Sequence, residues 1–251
     1  DFSLVPDDVH HEGVLRARDE ETQGKQSLAA EYVTKLCVWS ESSKQAYLAA
    51  GVSENKLSVT GIPHLDPWLV PVNKGEQKHL LGFSQRPLVS FCPPQLSRYE
   101  GDFGQTVTQL AESGIDLALR LHPFESDETV NQMRKVLMKY PNVRVFTGET
   151  LNLIRASDLV LSQHSTVAVE AIAIGVPLVE IDLQGAGVLQ SLAEQEVAVP
   201  INEIGKVQKV LSGELKVDLA KLQSWKEVNI GPTDSKSVER VLQVLDGLVA
   251  N

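Results

Sequence analysis

From Pro87 onward the chain alternates short unbroken apolar runs with longer stretches whose apolar residues recur every three or four positions. The runs predict strands at Leu88–Cys92, Leu117–Leu121, Val143–Phe146, Leu159–Leu161, Leu178–Ile181 and Val197–Val199. The stretches between them predict helices near residues 103–113, 127–140, 150–156, 166–174, 187–195 and 203–212. Strands that are apolar throughout, separated by helices, belong to a parallel sheet covered on both faces. In the doubly wound strand order the winding reverses between the first and fourth strands, and ligands bind there, beyond the carboxyl ends. The loops that meet at this reversal are Pro93–Glu100 and Ser162–Thr166.

The first part of the chain reads as the end of another α/β unit. Phe2–Val5, Lys35–Ser40 and Leu57–Thr60 predict strands; Val9–Thr22 and Ser42–Ala50 predict helices, the second stopped by Gly51. Gly61–Pro67 is turn-rich, and Pro71–Arg86 is polar without periodicity, which predicts a linker. After the break Gly231-Pro232, Asp234–Val249 predicts an amphipathic helix that packs back across the domain junction. The expected division is therefore 1–68, a linker at 69–86, a ligand-binding unit at 87–232 and a returning helix at 233–251.

Composition narrows the function. A chain of 251 residues, 42% apolar, has room for two such units with a core. Its net charge of −10 argues against non-specific nucleic-acid binding and against a patch for anionic membranes. A nucleotide site is not excluded, because local donors decide that. Cys37 and Cys92 lie in apolar runs without metal-ligand spacing, as reduced core residues of a cytoplasmic protein do. No apolar run reaches membrane-span length, and no signal peptide is evident. The chain opens on Asp1 and Phe2 without Met, so an upstream segment is expected to have been removed or to be missing from this sequence.

Candidate chemistry concentrates at Ser162–Pro177, a strand end, a polar turn and an apolar helix stopped by Gly175 and Pro177. Ser165 is a natural N-cap, and with Thr166 it stands where free backbone N–H groups point outward, a place that binds phosphate. Glu170 lies one turn deeper on the same helix face, placed to take ribose hydroxyls. A cap with a first-turn glutamate often serves only helix electrostatics. Here, however, the capping-box position is Ala168, and Glu170 is too deep to help the macrodipole much. His122 follows the second strand of the sheet, where an imidazole N–H can neutralise charge on a departing nucleotide; a histidine that merely caps a strand before proline is the plainer reading. Arg120 alternates with His122 and points to the flank of the sheet.

His164 adjoins the phosphate turn, and Ser97 and Arg98 are candidate phosphate donors in the loop after the first strand. Gly185, in Gln184-Gly-Ala-Gly187, follows a strand where the backbone can approach a sugar. Asp7, Asp8 and Glu12 gather after the first strand with His10 and His11; a carboxylate there suits a general base, and an ordinary polar helix start explains the cluster equally. The adjacent histidines point apart on a helix, so no metal site is assigned. His64 and His79 receive no role.

Taken together these residues resemble glycosyltransferases of the GT-B fold, two facing Rossmann-like domains with a nucleotide sugar between them. Glu170-Ala-Ile-Ala-Ile-Gly175-Val-Pro177 is similar to the family's Glu-x4-Gly-x-Pro element, whose glutamate binds donor ribose. His122-Pro123 and Ser165-Thr166 resemble the paired His-Pro and Ser-Ser/Thr motifs of bacterial surface-polysaccharide transferases, including sialyl- and Kdo-transferases and relatives that use CDP-glycerol. Lys35–Asp66 resembles the end of the first domain, and Asp234–Leu248 its returning helix. The resemblance implies transfer of a sugar from a CMP-, CDP- or UDP-linked donor to a glycan or lipid-linked acceptor in surface polysaccharide synthesis. It implies no cofactor beyond the donor, no metal, and a cytoplasmic enzyme at the inner face of the membrane. His122 would stabilise the departing nucleotide, and Asp7, Asp8 or Glu12 would deprotonate the acceptor.

Two departures are visible. Only the last part of a first domain is recognisable, and the His-Gly turn expected before Ala29–Ser40 is missing. A rival is the non-hydrolysing UDP-N-acetylglucosamine 2-epimerase, which His11-Glu-Gly-Val-Leu-Arg16 resembles; Pro93-Pro-Gln-Leu stands where that family has His-Arg-Arg-Glu. A nucleotide-binding module without catalysis is the third reading.

Overall fold

A computed structural model describes residues 33–96, 102–163, 165–181, 192–193 and 195–249. The chain divides into two compact units, one of residues 71–218 and a smaller one joining the segments before 71 and after 218.

In the smaller unit β1 (Leu36–Val38) pairs in parallel with β2 (Leu57–Val59), Leu36 opposite Leu57. Helix α1 (Glu41–Ala49) links them, and Ser40 starts it by accepting the Ser43 N–H at 3.1 Å. Val38, Tyr47, Val52 and Leu57 form the core of this crossover.

The larger unit begins where the sequence predicted a linker. Lys74–Leu80 is instead a helix, α2, capped by the Asn73 carboxamide oxygen on the N–H groups of Gly75 and Glu76. Its pattern escapes the periodicity test because the inward position is Lys78, not an apolar residue. The buried Lys78 ammonium donates to Asp158 at 2.5 Å and to the Arg86 carbonyl at 3.0 Å. Ser84 and Arg86 are tied to the buried Asp116 carboxylate, at 2.6 Å from the Ser84 hydroxyl and 2.8 Å from the Arg86 guanidinium. Ionic and hydrogen-bonded side chains thus fasten this stretch to the sheet.

Six parallel strands follow: β3 (Leu88–Cys92), β4 (Asp116–Leu119), β5 (Val143–Val145), β6 (Leu159–Ser162), β7 (Leu178–Ile181) and β8 (Val199–Ile201). Their spatial order is β5-β4-β3-β6-β7-β8, the doubly wound arrangement, with the reversal between β3 and β6. The helices are α3 (Phe103–Glu112), α4 (Asp127–Leu137), α5 (Thr150–Ala156), α6 (Val167–Ile174) and α7 (Val207–Leu211). Side-chain alternation divides the sheet by parity. Val89, Phe91, Leu117, Leu119, Leu159, Leu161, Val179 and Ile181 meet α3 and α4 on one face. Leu88 and Ala118 meet Leu153 and Ala156 of α5 on the other.

Boundaries differ from expectation for local reasons. Helix α4 stops at Leu137 rather than 140, since the residue before Pro141 is pushed out of the helical region. The strand expected at Val197–Val199 lies at Val199–Ile201, and a 3-10 turn at Ile204–Lys206 precedes α7. Of the helix expected over 187–195, the described residues 192, 193 and 195 are turn. The strand Phe2–Val5 and the helix Val9–Thr22 lie outside the described residues.

The chain returns to the smaller unit at Leu219, not at 233, with an unexpected helix, α8 (Leu219–Asn229), packed on α1. Helix α9 (Ser237–Val249) packs on the 3-10 turn Pro63–Trp68, and the buried Asp66 carboxylate accepts its Val238 N–H at 2.8 Å. Gly231 makes the turn between α8 and α9 with φ +85°; a Cβ there would stand 2.1 Å from the Trp39 carbonyl oxygen. No described helix is long and apolar enough to cross a membrane.

Candidate functional site

The site is built on the carboxyl ends of β3, β4 and β6. Cys92 and Ser162 are register partners at the ends of β3 and β6, and Glu180 on β7 continues the same row. All three are buried. The Glu180 carboxylate accepts the Ala193 N–H at 2.9 Å, which fastens the chain beyond β7 to the sheet.

After β6 the backbone turns through Ser165 and Thr166 into α6. The Ser165 hydroxyl accepts the Val167 N–H at 3.4 Å, and its carbonyl accepts from Ala168 at 3.0 Å, so Ser165 performs the capping. Thr166 already has helical dihedrals (φ −59°, ψ −23°), and its hydroxyl makes no capping bond. It is exposed at the positive end of the helix dipole. Gly175, in the left-handed region at φ +88°, ends the helix as the sequence suggested, with Val176 donating back to Ala171 at 2.9 Å.

Glu170 is half-buried one turn into α6. Burial, and secondarily the negative charge of Glu149, raises its carboxyl from the ordinary 4.5 to about 7. The fully buried Cys92 thiol is pushed up to about 12, first by burial, then lowered by Arg120 and raised by Glu170. Cys92 thus feels the charges of Arg120 and Glu170, and Glu170 that of Glu149. Arg120 joins the end of β4 to the start of α5 through its Nε donation to the Thr150 hydroxyl at 3.0 Å. Its Nη1 donates to the Leu121 carbonyl, also at 3.0 Å.

His122 lies in the loop after β4, half-buried, its Nδ1 accepting the Phe124 N–H at 3.2 Å. The Glu125 carboxylate accepts the Leu96 N–H at 2.5 Å, which binds the loop after β4 to the loop after β3. Strand β3 separates β4 from β6, so the strand ends that lead to His122 and to the α6 turn are two strand spacings, roughly 10 Å, apart. The edge thus carries His122, Ser165, Thr166 and Glu170. Asp7, Asp8, Glu12, Arg98, His164 and Gly185 lie outside the described residues. Among the described residues no group of three metal-ligating side chains gathers.

Glu125, Thr150 and Glu149, which also meet this edge, carry no local signal in the sequence. Strand parity places Arg120 with Cys92 and Ser162, but nothing in the sequence says that the start of α5 comes to meet them. The crossover from β5 back to β6 does that.

No protein-family model matches this chain, and no curated protein matches it in sequence. Solved structures do share its fold. The wall teichoic acid polymerase TagF superposes with a TM-score of 0.64 at 13% identity over 92% of this chain and 61% of its own. A TagF variant soaked with CDPG gives 0.63. The UDP-GlcNAc 2-epimerase from Neisseria meningitidis, bound to UDP-GlcNAc, gives 0.59 at 16% identity over 91% of this chain and 66% of its own. The chain spans about three fifths of the polymerase and just under two thirds of the epimerase. Its fold is the GT-B-like, Rossmann-like α/β fold with parallel sheets.

Proposed function

We propose that the larger unit binds the nucleotide part of a nucleotide sugar, and that the protein transfers the sugar to a glycan or lipid-linked acceptor. The observation that carries the reading is the α6 turn: an exposed helix start with Ser165 and Thr166, at the winding reversal, with a half-buried carboxyl one turn behind it. Phosphate oxygens would accept from the Ser165 and Thr166 hydroxyls at the positive end of the helix dipole, and Glu170 would take the ribose hydroxyls. His122, in the loop after β4, would donate to the phosphate on its far side and stabilise the leaving nucleotide. The diphosphate itself would bridge the gap. His164, Arg98 and Gly185 remain candidates for further donor contacts, and Asp7, Asp8 and Glu12 for the base. The fold shared with a polymerase soaked with CDPG and an epimerase bound to UDP-GlcNAc supports a cytidine or uridine nucleotide.

The epimerase reading keeps its place because that enzyme superposes nearly as well as the polymerase. Both need the same nucleotide grip and differ in the fate of the sugar. Calorimetric titration with CMP, CDP, UDP and GDP tests the shared premise: one pyrimidine diphosphate is expected to bind, and no binding by any of the four refutes it. Incubation with UDP-N-acetylglucosamine and no acceptor then separates the two, since only an epimerase returns the inverted sugar.

A further inference from the structure

Residues 122–125 form a β-turn, closed by the Glu125 N–H on the His122 carbonyl at 3.0 Å. Pro123 takes the second position, where its fixed φ suits the turn. Proline has no N–H, so the first backbone donor after His122 is that of Phe124. It donates to Nδ1 of the imidazole at 3.2 Å, and the Phe124 ring stands edge-on to the imidazole with centroids 5.1 Å apart. The turn is held in place by the bond between the Glu125 carboxylate and the Leu96 N–H. A ring nitrogen that accepts from an N–H must present its lone pair, and in a neutral imidazole the proton then belongs to the other nitrogen. That nitrogen, Nε2, has no protein partner among the described residues.

We infer that the His122-Pro123-Phe124 turn fixes His122 as the Nε2–H tautomer, so that it serves as a hydrogen-bond donor to an anionic oxygen and not as a proton acceptor. A base acting through Nε2 would need its proton on Nδ1, where it would face the Phe124 N–H. Pro123 and the Phe124 backbone are positioning residues that act through the imidazole. That the oxygen belongs to a nucleotide phosphate rests on the function proposed above; the tautomer does not.

Nitrogen-15 spectra of histidine in the whole chain at pH 8, where an ordinary imidazole is neutral, read the tautomer directly. His122→Gln assigns the signal by deletion. The expected result is Nε2–H at His122, and an Nδ1–H signal there overturns the inference. Pro123→Ala restores an N–H and frees the turn, and is expected to mix the tautomers. An unmixed Nε2–H spectrum in that variant overturns the part assigned to proline. Titration with CDP and UDP supplies the functional arm. His122→Ala is expected to weaken binding about tenfold, and His122→Gln, which keeps an amide donor near Nε2, only about threefold. Equal losses in the two variants overturn the donor role. If the unaltered protein binds neither nucleotide, the proposed function fails while the spectrum still decides the tautomer.

Discussion

Glu170 shows at the scale of one residue how much a place in the fold changes a side chain. Its carboxyl titrates near 7 in the folded protein against 4.5 ordinarily, because burial, helped by Glu149, disfavours the charge. The folded state therefore holds a proton that the unfolded chain gives up, and this residue lowers stability as pH rises from about 4.5 to about 7. Glu170→Gln removes that penalty. It is expected to raise unfolding stability by roughly 2 kcal/mol at pH 8, with the gain gone by about pH 4. Urea melts of both proteins across that range check it, and a gain independent of pH would mean that ionisation is not the cause. Under the proposed function this is the carboxyl that would hold the ribose hydroxyls. Its position was legible from the helical spacing of Thr166 and Glu170; its elevated titration was not, because Glu149 approaches from a different crossover.

At the scale of elements, the parallel strands were readable because each is apolar at nearly every position, and α3 and α4 because their caps and stripes follow the rules. Helix α2 was not, since its inward residue is Lys78 and the bond that steadies it comes from Asp158, eighty positions away. Asp158→Ala leaves that buried ammonium with only the Arg86 carbonyl and no opposite charge, and frees the Leu88 N–H that Asp158 also accepts. A loss of about 2–3 kcal/mol is expected, short of a fully buried pair because Asp158 is partly exposed. Denaturant melts measure it; an unchanged midpoint would show that α2 is held by other contacts. Helix α8 was missed for a related reason, because Leu222, Trp225, Lys226 and Asn229 make a mixed inner face rather than an apolar stripe. The turn after it tolerates little. Gly231→Ala is expected to cost at least about 2 kcal/mol, since the methyl would collide with the Trp39 carbonyl and the backbone lies in the left-handed region. A melt within about 0.5 kcal/mol of the parent would show that the turn relaxes freely.

For the whole molecule, the winding order of the larger unit decides which strand ends meet at one edge. Reversal between β3 and β6 brings Cys92 beside Ser162 and leaves the α6 turn open at the edge. This much followed from counting strands and helices along the chain. The candidate residues were legible only where a local signal marks them, the helix start at Ser165 and Thr166 and the turn at His122-Pro123. Contacts such as Leu96 with Glu125 or Arg120 with Thr150 join loops that are remote in sequence, and no local pattern encodes them. The most direct test compares CDP or UDP with its 2′-deoxy form on the parent protein and on Glu170→Ala, by calorimetry at pH 8. If Glu170 holds the ribose, the substitution weakens the ribonucleotide by roughly 1–3 kcal/mol and the deoxynucleotide far less. Equal losses for both, or no loss for either, would remove Glu170 from the nucleotide site.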